Sequence, residues 1–518
     1  MLNQQQIDYR RSRFEPHPGT SSRAASIGPQ KEPRSSTGID SLQRFLWGGL
    51  IASFPFTALE MWPSKMKQFG EPSVLIAALL GVLVLGDAVL RPQKIFVPKG
   101  RSAWMLLLFM LVIGLSFFIS HPINPYMWPG NNPWTKSAKQ IAQWFADGWV
   151  AYLTLRFVRT WKDFRFALKC QFIGLLLVTA SAFLELAALH WPTGMAHSLY
   201  MSLHNGGMEN AGRLNLLGYE PSIAGDYLLS VVPLLVCGAY YWKPRRWKFF
   251  WSAVALLLFC GTFSLGCFGA LFIAALSVGI VYARRGSKGL IVATLLLLCV
   301  LIGTAVSSSK GEEFLGSRVS EIVQNGFDPS GVPDFSTRDR LAHAEAAFNT
   351  FLEYPVLGVG VGKSGFYAYS TYPVWALDQA DLREGAFGSD TQNLPTSFNL
   401  FIQVLAETGL VGTTIFVALL ISMLADCYGA MNGANEKWKK LAFAGVLFAL
   451  VAQIIHYNAM TWLGMRYWFF IWGLAICAPQ LLKQKDPLMP EHRVAVRRDL
   501  PRARQLGERR QTVSMVRF

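Results

Sequence analysis

Residues 336–362 read STRDRLAHAEAAFNTFLEYPVLGVGVG and residues 395–412 read PTSFNLFIQVLAETGLVG, with long apolar runs on both sides of the pair. In the first stretch Leu341, Ala344, Phe348, Phe351 and Leu352 recur at helical spacing behind a Ser/Thr start, and Pro355 stops them, so the pattern predicts an amphipathic helix. The second stretch predicts an apolar helix with Asn399, Gln403 and Glu407 at i, i+4 and i+8, a polar stripe on one face. Residues 308–398 therefore read as a large polar loop, containing short helices, slung between two membrane spans.

Working outward, the 518 residues are 52% hydrophobic and only 15% charged, with mean hydropathy +0.30. That composition excludes a large soluble enzyme and predicts an all-α, polytopic membrane protein. Twelve spans are expected, near 45–62, 73–90, 103–119, 138–157, 169–189, 222–242, 249–265, 267–283, 289–307, 399–424, 441–457 and 463–482. The chain divides into a disordered tail (1–43), nine spans (44–307), the loop (308–398), three spans (399–482) and a basic tail (483–518). No apolar region near the start suggests a cleavable signal, so the first span reads as an uncleaved anchor.

Charge supports this division. The five loops on one side hold nineteen Lys/Arg, among them Arg91, Arg159, Arg245, Arg284 and Lys437, whereas the opposite short loops and span edges hold six: Lys65, Lys67, Lys136, Lys139, Arg213 and Arg466. The bias predicts both tails in the cytoplasm and the large loop in the periplasm. The formal charge of +16 is thus a topological signal and not a nucleic-acid footprint. Inside 308–398 the balance reverses, with six basic against twelve acidic residues, so an anion held there needs a few placed arginines and not a general field. The seven cysteines fall in or beside apolar spans and offer neither a disulfide framework nor metal-ligand spacing.

Polar groups inside spans are costly and each needs a partner or a purpose. Glu407 shares a face with Asn399 and Gln403; Lys136, Gln140, Gln143 and Asp147 form a second stripe; Glu185, Asp226 and Arg466 add more. Contacts between helices and a functional site are the two readings of each. Arg340 and His343, three apart on one helix, pair a guanidinium with an imidazole and suit phosphate binding beside proton transfer, although a solvated surface histidine has the same spacing. Glu220 precedes Pro221 at a span mouth, seven residues after Arg213: either a carboxylate at a site or a helix N-terminal charge. His204 is a further histidine on that side. The glycines of GVGVG, 358–362, could offer N–H groups to phosphate or form a tight turn. No Asp-x-Asp, HExxH or GxxxxGKS motif asks for a metal or a nucleotide.

These residues resemble the O-antigen ligase and Wzy-type polysaccharide polymerase superfamily. The likeness rests on Arg340 followed fifteen residues later by Pro355 and VLGVGVG, and on a span opening with Asn399, Gln403, Glu407 and Gly409; it covers the spans and leaves out both tails. Two positions depart from the family pattern: Phe398 stands where ligases carry His, and Leu265 interrupts a Thr-x-Ser-Arg-Gly segment that here reads Thr262, Phe263, Ser264, Leu265, Gly266. The resemblance implies a metal-independent glycosyltransferase of the bacterial inner membrane. Its donor would be a polyprenyl-pyrophosphate-linked oligosaccharide, and membrane lipid, a flippase and a chain-length regulator would be its partners. Arg340 and Arg213 would hold the pyrophosphate, with Arg466 as a third arginine; Asn399, Gln403 and Glu407 would line the substrate site. For the base that takes the acceptor proton, Glu220 and His343 are the candidates and Glu407 the third.

Because phenylalanine accepts no proton, Phe398 favours a polymerase of exopolysaccharide or O-antigen repeat units over a ligase to lipid A core. A protein-glycosylating transferase of the same superfamily is a further alternative. Intramembrane carboxylates also fit a secondary transporter or a lipid-linked saccharide flippase, but such proteins usually show two similar halves, and this chain carries one large loop between its ninth and tenth spans.

Overall fold

The computed structural model describes residues 38–57, 71–92, 99–119, 121, 132–191, 193–203, 213–218, 220–238, 245–262, 264–283, 335–387, 394, 396–460 and 465–484. Every regular element among them is helical. Residues 1–42 and 43–518 form separate units.

Helices start where the sequence supplies caps. Asn132 accepts hydrogen bonds from the backbone of Trp134 (2.9 Å) and Thr135 (3.3 Å) and opens α4 (Pro133–Phe157) with proline at its first position. Thr160 and Asp163 form a reciprocal capping box at the head of α5 (Trp161–His190). The preceding helices are α1 (Gly38–Ala52), α2 (Pro72–Leu90) and α3 (Arg101–Leu115), the last tightening into a 3₁₀ turn at Ser116–Phe118. After α5 come α6 (Met195–Leu203), α7 (Pro221–Gly238), α8 (Arg245–Gly261) and α9 (Leu265–Ala283). The loop segment carries α10 (Phe335–Glu353) and the short α11 (Ala368–Thr371), α12 (Val374–Leu377) and α13 (Ala380–Phe387), and the chain re-enters the bundle through α14 (Leu400–Gly433), α15 (Lys437–His456) and α16 (Arg466–Leu482).

The final helix is the axis of the bundle. Residues 466–478 of α16 are all buried, and the helix packs against α4, α14 and α15. Its aromatic run interdigitates with neighbours: Trp472 approaches Phe416 of α14 and Tyr467 meets Tyr227 of α7. The outward faces are the reverse. On α2, Leu75, Leu79, Val82, Leu85 and Val89 are exposed at helical spacing, a stripe that belongs against acyl chains and not water.

Among the described residues, five helices are long and apolar enough to cross a bilayer: Pro72–Leu90, Arg101–Phe118, Trp161–His190, Leu400–Gly433 and Lys437–His456. Three shorter apolar helices, Pro221–Leu235, Phe250–Gly261 and Gly266–Ile280, match the sixth to eighth expected spans. The protein is therefore a multi-pass membrane protein. Of the twelve expected spans, 289–307 lies outside the described residues, as does 308–334 of the loop. The helix expected at 45–62 starts earlier, at Gly38, and ends at Ala52; residues 58–62 lie outside the described part.

Candidate functional site

The two motif stretches of the sequence turn out to be halves of one joint. Gly409 has φ 62° and ψ −163° inside α14, which breaks the helix there and frees backbone groups. The 355–360 segment takes them up: Val359 N donates to Ala406 O (3.0 Å), Gly360 N to Glu407 O (2.9 Å), Leu410 N to Pro355 O (2.8 Å) and Val411 N to Val356 O (3.2 Å). The fit is backbone against backbone. A Cβ on Gly358, whose φ is +67°, would stand 2.5 Å from Ala406 O, and one on Gly409 would collide with Val356 O. The turn reading of GVGVG thus stands, and two of the N–H groups considered for phosphate are occupied by carbonyls of α14.

Side chains fasten the joint. Glu407 accepts from Ser364 Oγ (3.0 Å) and from Gln403; Gln403 Nε2 also donates to Ser364 Oγ (2.9 Å), and its Oε1 accepts from Ser397 N (3.2 Å). Asn399 is not part of the helical stripe: it is the N-cap of α14, accepting from Phe401 N (3.0 Å) and Ile402 N (3.2 Å). Lys363, buried, donates to the carbonyls of Phe117 (3.1 Å) and Ile119 and lies over the Trp134 ring (4.2 Å), pinning the end of α3 to the joint.

Beside the joint, several segments meet at one mouth. Arg213 Nε donates to Thr262 O (3.1 Å), placing its guanidinium at the turn between α8 and α9. Its loop is held by Glu185, whose two carboxylate oxygens accept from Asn215 N and Leu216 N at 2.8 Å each, and Leu216 sits at φ +57°. Glu185 is thus a partner to backbone N–H groups of the mouth loop. Glu220 opens α7, exposed, with Ser222 Oγ donating to it (3.1 Å). Arg340 reaches across from α10 to donate to Ala459 O (3.3 Å). Burial lowers the Arg213 pKa, the Glu220 charge opposes that shift, and the like charge of Arg340 adds to it, so both groups lie within electrostatic reach of Arg213.

His343 is buried on α10, stacked on Phe398 (5.6 Å, 25°) and edge-on to Tyr372 (5.7 Å), with Asp339 Oδ1 3.7 Å from Nδ1. Burial lowers its pKa, Asp339 opposing. A small cavity touching His343, Ala346, Ser364 and Ser397 joins it to the Gln403–Glu407 network. The solvated surface histidine of the sequence reading is therefore corrected: the apolar side of α10 packs on α14 and takes His343 with it.

Arg466 stands apart from these groups. It is buried, ion-paired to Glu71, 3.8 Å from Asp147, and hydrogen-bonded to Ser73 Oγ (2.9 Å), tying α16 to α2 and α4. Its partners are protein carboxylates, which fit an internal anchor better than a pyrophosphate ligand. Sequence reasoning missed His456, at the end of α15, whose Nε2 lies 3.6 Å from both Asp226 Oδ1 and Cys267 Sγ; Tyr467 OH donates to Asp226 Oδ2 (2.8 Å). Arg340 is within electrostatic reach of His456. The signal was a lone histidine before Tyr457 and Asn458, and only the approach of α7 and α9 to α15 gives it a carboxylate. His204 lies outside the described residues.

Apolar outer faces and a buried aromatic axis define a membrane-embedded protein, and Arg213, Glu220 and Arg340 form a polar site at a helix mouth. Residues 250–417 match the family described as O-antigen ligase, which supports the resemblance to the O-antigen ligase and Wzy-type polymerase superfamily. The match takes in about a third of the chain and includes Arg340, His343, Phe398 and the whole joint; Arg213, Glu220, His456 and Arg466 lie outside it. No curated protein matches the chain.

Proposed function

We propose that the protein is a polymerase of the bacterial inner membrane, transferring polyprenyl-pyrophosphate-linked oligosaccharide repeat units onto a growing glycan at the periplasmic face. The observation that carries this reading is the meeting of Arg213 and Arg340, from distant parts of the sequence, at one mouth beside the exposed carboxylate of Glu220. When an acceptor hydroxyl attacks the anomeric carbon, the bond to the pyrophosphate breaks and negative charge grows on the leaving group. Two fixed guanidinium groups stabilise that charge without a metal, and their planar forks suit phosphate oxygens. Glu220, exposed at the same mouth, takes the acceptor proton; His343, whose pKa burial lowers, is the other base. Twelve spans with both tails in the cytoplasm is the topology that puts this mouth on the periplasmic side.

The family description favours a second reading, ligation of a finished O-antigen to lipid A core. Phe398 weighs against it, since the ring at that position can take up no proton. Deleting the gene separates the two: loss of a polymerase leaves single repeat units and no long chains, whereas loss of a ligase leaves long chains stranded on the polyprenyl carrier. Long stranded chains would overturn the polymerase reading.

A further inference from the structure

Phe398 is the one phenylalanine among the described residues with a left-handed backbone, φ +48°. Bulky side chains rarely adopt this region, and such strain, of order 1–3 kcal/mol, persists only where the surroundings over-determine it. Here they do. Ser397 Oγ donates to Asn399 O (2.8 Å), Ser397 N to Gln403 Oε1 (3.2 Å) and Leu400 N to Tyr457 O (2.8 Å), so the residues on either side are locked to α14 and to the end of α15. The locked backbone carries a half-buried ring under the Arg340 guanidinium, whose carbon lies 5.1 Å from the ring centroid, and the His343 imidazole stacks on the same ring.

We infer that Phe398 is a positioning residue for Arg340: the electron-rich ring holds the guanidinium at the mouth and leaves its N–H groups for the donor pyrophosphate. This rests on the reading of Arg340 given above. A guanidinium has five N–H donors, and among the described residues Arg340 spends one on Ala459 O, at 3.3 Å and on an exposed side chain. One long hydrogen bond fixes a long side chain poorly, and the ring supplies the second constraint without consuming a donor. A carboxylate in the place of Phe398 would hold Arg340 more tightly, yet it would occupy the same donors that an anion needs.

The test uses the full-length protein in nanodiscs, with farnesyl pyrophosphate as the binding probe and mono-, di- and trifluorophenylalanine at position 398. Fluorine draws electron density from the ring face and weakens its hold on a cation stepwise, while the volume barely changes. The expected result is a monotonic rise in Kd, reaching about 5- to 30-fold for the trifluoro ring, with Phe398→Leu at least as weak. A merely apolar packing role would leave the fluorinated series flat and Phe398→Leu near wild type. A flat series alongside a large loss in Arg340→Ala would overturn this inference and leave the Arg340 reading intact; undiminished binding by Arg340→Ala would remove both.

Discussion

Arg213 and Arg340 are separated by more than a hundred residues, and each was legible alone as an arginine beside a span or a motif. Their convergence was not legible, because it is produced by the turn between α8 and α9 and by the end of α15, and nothing in either sequence says what it packs against. Changing either arginine to Ala is expected to abolish polymer while the protein still inserts, and Lys is expected to rescue poorly, since a point charge cannot reproduce the planar fork; full rescue by Lys, scored by polysaccharide gel, would defeat the proposal. Replacing Glu220 by Gln should slow transfer by about 10²- to 10⁴-fold if it is the base, with donor binding unchanged. His343 titrates with a definite sign. Its pKa is lowered from the ordinary 6.5, so the folded state prefers the neutral ring; the stability this brings is present above about pH 6.5 and is lost as the pH falls below it. Hydrogen-exchange protection of residues 335–353, measured against the intrinsic rate at each pH, should fall on acidification, and His343→Phe should flatten that response.

At the scale of elements, the Gln403 and Glu407 part of the polar stripe was readable from its spacing, but its partners were not, and neither was the capping role of Asn399. In the structure Gln403 and Glu407 meet Ser364, just beyond the glycine turn, and Gln403 also meets the backbone of Ser397. The same holds for GVGVG, whose composition announced a turn and concealed the broken helix at Gly409 that receives it. Gly358→Ala and Gly409→Ala should each prevent accumulation of folded protein, because the new methyl meets backbone atoms that cannot yield and both positions have positive φ. Glu407→Gln keeps the size and two hydrogen-bonding ends and should retain far more protein than Glu407→Ala, as read by fluorescence-detected size exclusion. Near-equal levels for the two Glu407 variants would mean that the carboxylate is not a fastening point.

For the whole molecule, hydropathy made the helical, multi-pass architecture legible, since it is a sum over many residues. The position of α16 as the axis was beyond it, because burial on all sides looks in sequence like any apolar run. Reporter fusions at residues 360 and 438 should report opposite compartments, with 438 in the cytoplasm; a cytoplasmic reporter active at 360 would overturn the topology. The anchor of that axis has a consequence in time. Glu71 leaves the ribosome 395 residues before Arg466, a delay of about 20–80 s at ordinary elongation rates. Throughout that interval Glu71 has no cation from the last helix, nor has Asp147 once it is made, and a carboxylate at the centre of a span, as Asp147 is in the expected span 138–157, costs about 2.5–3.5 kcal/mol. The growing chain therefore carries a mark of its own incompleteness, which is erased when the final segment docks. A chain truncated at residue 460 should be cleared rapidly by membrane proteases, and pulse-chase labelling should show the same truncation surviving longer with Glu71→Gln and Asp147→Asn, which hide the mark.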